Sequence, residues 1–236
     1  KNFWGLEDSI IDEVSDRVVY FFNRYRHLLR PAKHDTSKYG FEMLKGYLLL
    51  DCKRTYANID RKINGEDHKG GQNLQQYMSD SPWDSAAVFK QVQEDIQSRF
   101  FLGGGTLNFD ETGEECSGPK KAGAARQYIG RSGKVDMGQV VVLGSFYRDG
   151  HWLLTDADLF LPKQWFEAPL KKEWKRLHIP SERRFKSKVE IARELFLRAV
   201  TQGLPFDEVG FDSLYGRDLS FRLLIGEYGK HYMACI

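Results

Sequence analysis

Three consecutive glycines, Gly103, Gly104 and Gly105, separate two hydrophobic periodicities in this chain, and no single layer of one type of secondary structure accommodates both. Upstream of them the apolar residues recur at helical spacing. Leu6, Ile10, Val14, Val18, Phe21, Phe22, Tyr25, Leu28 and Leu29 fall into register over residues 6–29. Acidic side chains lie in the first turns and basic ones in the last, as the helix dipole favours, and Pro31 stops the run. A second helical stretch is expected over 38–63, and the polar segment NGEDHKGGQN that follows reads as a loop. The next helix opens at SPWD, with Ser81 expected as N-cap, Pro82 at the first helical position and Asp84 where a capping-box acid sits. Residues 1–102 are therefore expected to form an all-helical N-terminal domain.

Downstream the period becomes that of strands: TLNFD (106–110), GQVVVLGSFY (138–147) and HWLLTDADLFLP (151–162). The last two are joined by Arg148-Asp149-Gly150, a hairpin signal. A helix over 187–202 closed by Gly203, a strand over 207–212, a helix over 217–228 closed by Gly229 and a final strand, HYMACI, complete the pattern. A three-strand meander followed by two strand-helix-strand crossovers predicts an α/β domain over 103–236, built on a mixed sheet whose last strands run parallel to the first. With 236 residues, 41% of them hydrophobic, the chain has material for one sizeable core, or for one core plus a helical satellite. No apolar run approaches the ~18 to 20 residues of a membrane-spanning helix. Cys52, Cys116 and Cys235 show no CxxC spacing, so neither a disulfide framework nor a zinc site is expected, and a reducing cytoplasm fits.

In such a sheet Asp110 is expected to end the first strand and Asp212 the fourth. If those strands are neighbours, two carboxylates separated by 102 residues of sequence (212 − 110) meet in the crevice where α/β sheets bind ligands. Hard oxygen donors there suit Mg²⁺ or Mn²⁺, whereas the plainer reading makes both acids ordinary turn residues. Two basic segments are candidate DNA contacts. The first contains Lys120, Lys121, Arg126, Arg131 and Lys134 without an acid over 119–134, with glycines that let the backbone approach a phosphate. The second contains Lys171, Lys172, Lys175, Arg176, Arg183, Arg184, Lys186 and Lys188 against Glu173 and Glu182, a local net of 8 − 2 = +6. Trp165 and Trp174 flank the start of that run as candidates for base stacking, with burial in a core as the alternative. The whole-molecule charge of +2 says little, so the nucleic-acid reading depends on these clusters rather than on the total. Three other patterns carry nothing. GRSGK lacks the first Gly and the Ser/Thr of a phosphate-binding loop. The aspartates of DADLF are expected to decorate one face of a strand. The six histidines share no ligand spacing.

The stretches LNFDETG, PKK, GAARQYIGRSGKVDMGQVVV, LPKQW, RRFKSKVEIARELFLRAVTQGLPF and FDSLYG, in that order, resemble the DDE transposases of bacterial insertion sequences, in the branch with a DDTG or DETG first motif and an ADxxYG second motif. The resemblance runs over 81–236 and more faintly through the helical N-terminus. It implies a ribonuclease H-like catalytic domain with Asp110 and Asp212 as first and second acids, and Mg²⁺- or Mn²⁺-dependent cleavage and transfer of strands. The implied partners are double-stranded DNA at transposon ends and in the target, and a second copy of the chain as a homodimer, with no membrane. The implied setting is the bacterial cytoplasm, at the nucleoid. The third acid of that family, a Glu on a helix beyond the fifth strand, has no counterpart before Ile236. Glu227, 15 residues past Asp212, is expected to face solvent. The catalytic set is therefore expected to be incomplete within these residues. The alternatives are a non-catalytic DNA-binding or assembly protein that kept the fold and its basic surfaces, and, further off, an unrelated metal-dependent phosphatase or nuclease.

Overall fold

The computed structural model describes residues 7–30, 35–65, 70–81, 83–99, 104–116, 118 and 121–235. The expectations placed on Leu6, Pro31, Pro82, Gly103, Lys120, His34 and His68 lie outside these. The chain divides into two compact units, Lys1–Val88 and Phe89–Ile236.

The first unit is helical: α1 (Asp8–Tyr25), α2 (Ser37–Leu49), α3 (Tyr56–Asn64) and α4 (Gln72–Asp80), with a 3₁₀ turn over Arg26–Leu29. Where the periodicity predicts one helix over 38–63, two form. Leu50 leaves α2 in an extended conformation, and the Thr55 hydroxyl accepts the Asn58 N–H at 3.2 Å to start α3 afresh. Met43, Leu50, Ile59 and Leu74 make the core of this unit. Asp60 is buried, but its carboxylate accepts the Gly71 N–H at 2.8 Å and the Asn64 amide at 2.9 Å, so it ties α3 to the start of α4.

A further helix, α5 (Ser85–Arg99), starts later than the sequence suggests. Asp84 caps it, accepting the Ala86 N–H at 2.9 Å, and Ser81 instead follows the end of α4. The unit boundary falls inside α5, whose Ile96 belongs to the core of the second unit.

That second unit is a mixed α/β structure around a six-stranded sheet: β1 (Gly105–Glu115), β2 (Ala125–Ile129), β3 (Lys134–Arg148), β4 (His151–Phe160), β5 (Phe206–Phe211) and β6 (His231–Ala234). The strands are ordered β2-β3-β1-β5-β6, and β4 pairs with β3. β3 lies antiparallel to β1, β2 and β4, whereas β1 and β6 both run parallel to β5. Asp149 and Gly150, both at positive φ, make the two-residue turn between β3 and β4. The expected meander β1-β3-β4 thus gains a strand, because ARQYI within the glycine-rich basic segment pairs with the first residues of β3. Its outward side chains, Arg126 and Tyr128, alternate with the buried Ala125 and Ile129, a two-residue period too short to separate from a loop by sequence.

Leu107, Phe109, Val142, Phe146, Val209 and Phe211 point from one face of the sheet into the main core. They meet α6 (Lys188–Thr201), α7 (Ser213–Gly216) and α8 (Leu219–Glu227). Ile191, Ala192, Leu195, Phe196 and Ala199 form the buried stripe of α6, at the spacing of one helical face. A full capping box fixes where α6 begins: the Ser187 hydroxyl accepts the Glu190 N–H, and the Glu190 carboxylate accepts the Ser187 N–H. Trp165 and Trp174 are buried in a separate cluster with Ala124 and Leu161. Their indole N–H groups donate to the Ala124 and Trp165 carbonyls at 3.0 and 2.6 Å. The base-stacking reading of these two residues is thereby corrected, since their rings are inside the protein and their polar edges are satisfied there.

Candidate active site

The apolar run of β1 stops at Phe109, but the strand does not. Its ladder to β3 continues through Asp110↔Leu143 to Glu115↔Gly138, so Asp110 lies in mid-strand rather than at its end. The feature that ends near Asp110 is the parallel pairing with β5, whose last pair is Phe109↔Phe211. Phe109 and Phe211 are both buried in the core, so the next residue along each strand turns to the opposite face. Asp110 and Asp212 thereby come side by side, both exposed. The register alone produces this meeting across 102 residues.

Each acid commits one carboxylate oxygen to its own neighbourhood. Asp110 Oδ1 accepts the Glu111 N–H at 2.8 Å, and Asp212 Oδ1 accepts the Leu214 N–H at 2.9 Å, which makes Asp212 the N-cap of α7. A cleft of about 310 Å³ opens beside them, lined by Asp110, Glu111, Thr112, Gly113, Tyr128, Gly130, Arg131, Val140 and Asp212. Partial burial pushes the Asp110 carboxyl above the ordinary aspartate value. The charges of Glu111 and Asp212 push it the same way, and the Glu111 N–H and Lys188 oppose them. Two like charges held in one crevice attract a cation, and their donors are the hard oxygens that Mg²⁺ and Mn²⁺ prefer. Among the described residues no group of three His, Cys, Asp or Glu side chains is placed to hold a metal ion. Two carboxylates still fit an ion of this class, which keeps several waters and accepts phosphate oxygens.

Behind the acids, on the core face, lies a contact that the sequence does not reveal. Glu111 Oε1 accepts Lys188 Nζ at 2.8 Å, and Glu111 Oε2 accepts the Tyr215 hydroxyl at 2.8 Å. Tyr215 is fully buried, and burial followed by the nearby Glu111 carboxylate drives its phenol far above the ordinary tyrosine value, so it stays a proton donor. Gly216 beside it is required by space. A Cβ there would fall 2.4 Å from the Cys235 carbonyl oxygen and 3.0 Å from Ala234, where α7 crosses β6. The residues following each acid, Glu111 in DETG and Tyr215 in DSLYG, thus touch each other.

The candidate DNA contacts fall into two groups. Lys121, Arg126, Lys172, Lys175 and Arg184 are exposed, as is Lys171, whose ammonium lies 5.7 Å from the Trp174 ring. Arg131, Lys134 and Arg176 are also at the surface, in ion pairs with Glu114, Asp136 and Glu173. Three others are drawn inward. Arg183 donates to Asp158 and to the Leu159 carbonyl at 2.8 Å each, Lys186 pairs with Glu194, and Lys188 holds Glu111. Asp156 and Asp158 of DADLF share one strand face, Asp156 accepting Arg198 Nε at 2.7 Å, so both serve in ion pairs. Glu227 is exposed at the end of α8. Because α8 leads into β6 parallel to β5, with Glu208 opposite His231, its end lies toward the start of the strands, away from Asp212.

A family model described as DDE superfamily endonuclease matches residues 33–236. A probable transposase for insertion sequence element IS701, from Microchaete diplosiphon, is 29% identical over 227 residues. That alignment covers 93% of this chain and 54% of the relative, so the chain spans about half the length of the curated relative it matches. No solved structure matches it.

Proposed function

The chain belongs to the DDE superfamily of endonucleases, and from that premise we propose that it acts as an insertion-sequence transposase, binding transposon-end DNA and cleaving and transferring strands with a divalent cation held by Asp110 and Asp212. The observation that carries this reading is the meeting of the two acids at the point where the β1–β5 pairing stops, beside an open cleft. The strand order β4-β3-β1-β5-β6, with β3 reversed, supports a ribonuclease H-like sheet over 103–236. Of the region expected as a helical domain over 1–102, the unit Lys1–Val88 is proposed to serve DNA binding or assembly, and the protein is proposed to be a homodimer when engaged with DNA.

Asp110 and Asp212 would hold Mg²⁺ or Mn²⁺, each having a carboxylate oxygen beyond the one that accepts a backbone N–H. Such an ion, when bound, would supply activation of a water or 3′-hydroxyl and stabilisation of the leaving oxygen. Arg131, at the rim of the same cleft, and the exposed Lys121 and Arg126 position the phosphate backbone. Lys171, Lys172, Lys175, Arg176 and Arg184 extend that contact along the second basic segment. Lys134 lies next to the first of these surfaces. The inward-turned Arg183, Lys186 and Lys188 serve the fold and the acids instead. Glu227 has no place in the site.

The test is a melting experiment with and without Mn²⁺, alongside incubation with a labelled duplex carrying a transposon end. An ion specific for the folded state raises the melting temperature by mass action, and Asp110→Asn or Asp212→Asn is expected to abolish the increase. Equal Mn²⁺ stabilisation in wild type and both variants would move the metal elsewhere. The catalytic set expected from these residues lacks its third acid, so the duplex is expected to be bound but not cut, and a duplex bound with no Mn²⁺ stabilisation of the protein favours the non-catalytic DNA-binding or assembly protein.

A further inference from the structure

We propose that Glu111, gripped by Tyr215 and Lys188, is a positioning residue that sets the separation of Asp110 and Asp212 and thereby the affinity of the site for a divalent cation. This rests on the metal reading given above and assigns a role to residues that neither bind the ion nor touch DNA.

The geometry behind it is a change in what holds the two strands together. Up to Phe109↔Phe211 the ladder between β1 and β5 fixes their spacing. Beyond that pair the strands part: β1 continues along β3, whereas the chain after β5 turns into α7. The two acids are the first residues past the parting. Glu111 is one residue beyond Asp110 and Tyr215 three beyond Asp212, and the 2.8 Å hydrogen bond between them spans the gap on the opposite side of the sheet from the acids. Lys188, in the first turn of α6, holds the other oxygen of Glu111 at 2.8 Å, so the carboxylate is fixed from two directions.

The chemistry of each partner suits that task. A buried phenol that stays protonated is a short, stiff donor, and a charged acceptor strengthens its bond. The Lys188 ammonium offsets the charge of Glu111, which otherwise adds a third negative charge behind the acids. A glutamate left without either partner in this half-buried position swings toward water, and β1 and α7 lose the bond that fixes them. Groups that orient metal ligands from behind typically change metal affinity by about 10- to 100-fold when removed.

The experiment is titration of Mn²⁺ into the metal-free chain, with free Mn²⁺ followed by electron paramagnetic resonance and melting temperature recorded without metal. Tyr215→Phe deletes one hydroxyl and keeps the ring in its buried site. It is expected to raise the Mn²⁺ dissociation constant by about 10-fold, with a modest fall in the metal-free melting temperature from the lost hydrogen bond. Lys188→Met, on a partly exposed side chain, is expected to weaken Mn²⁺ binding in the same sense. Glu111→Gln, whose amide oxygen still accepts from Tyr215, is expected to bind Mn²⁺ more tightly than Glu111→Ala does. A purely structural contact predicts a lowered metal-free melting temperature with an unchanged dissociation constant, and that result in Tyr215→Phe and Lys188→Met overturns the proposal. Wild-type protein that binds no Mn²⁺ sinks the metal reading and this inference together, whereas wild-type binding with unaltered variants sinks this inference alone.

Discussion

At Asp110 the folded protein holds its proton more tightly than the unfolded chain does, because partial burial and the charges of Glu111 and Asp212 raise the carboxyl above its ordinary 3.8. For an acid shifted in this direction, the folded state is favoured most below the unfolded value, and that advantage is lost as pH rises through the folded value. At neutral pH the ionised group therefore works against folding. Asp110→Asn, which keeps an acceptor for the Glu111 N–H, is expected to melt higher than wild type at about pH 7 in the presence of a chelator. The gain should close as pH falls toward 4. Thermal unfolding across that range measures it, and a variant that melts lower at every pH contradicts the sign. Asp35 behaves oppositely, its carboxyl held at about 2 by the Ser37 hydroxyl and then the Arg26 guanidinium. The two acids differ in surroundings as well as in sign: Asp35 has partners that satisfy its charge, whereas Asp110 lies beside another carboxylate. Asp110 was legible because it follows an apolar run and sits in DETG. The role of Glu111 was not, since its partners lie 77 and 104 residues away and no local pattern joins them.

Local rules decided most boundaries at the scale of elements, and their failures are instructive. The helix α6 begins where Ser187 and Glu190 cap one another, and Lys188, the partner of Glu111, is its first residue. Removing the cap with Ser187→Ala is expected to cost about 1 kcal/mol of stability, measurable by urea unfolding. It should also weaken Mn²⁺ binding by loosening Lys188. The strand β1 continues past its apolar residues because β3 pairs with it on one side, so hydrophobic periodicity understated its length. At its start Gly105 allows Phe146 to lie across the backbone: a Cβ there would fall 2.0 Å from the ring, and Phe146 is fully buried. Gly105→Ala is expected to destabilise the sheet by about 1 to 3 kcal/mol through overpacking, read in the same unfolding experiment.

Over the whole molecule, charge is nearly balanced, so any steering of DNA comes from where cations gather rather than from how many there are. Replacing Lys121, Arg126 and Arg184 together with Ala is expected to weaken binding to every DNA sequence alike. The slope of log affinity against log salt should fall by about 2 to 3, since each lost phosphate contact releases close to one counterion fewer. A variant that lost sequence preference while keeping its slope would contradict the backbone-positioning role. No helix among the described residues is long and apolar enough to cross a membrane.

The sequence by itself determined the change from helical to strand periodicity at the glycines, the hairpin at Asp149-Gly150 and the extent of α6, and it singled out Asp110 and Asp212 as the candidate pair of acids. These depend on side-chain spacing and on turn and cap chemistry, which act over a few residues. Tertiary structure alone decided which residues would meet. It turned Trp165 and Trp174 inward, made a strand of ARQYI, assigned Arg183 and Lys188 to carboxylates within the protein, and brought Tyr215 to Glu111. Each of those outcomes depends on contacts between segments far apart in sequence. The physical reason is that strand register and core packing fix such contacts cooperatively, so a pattern confined to a few neighbouring residues holds no trace of them.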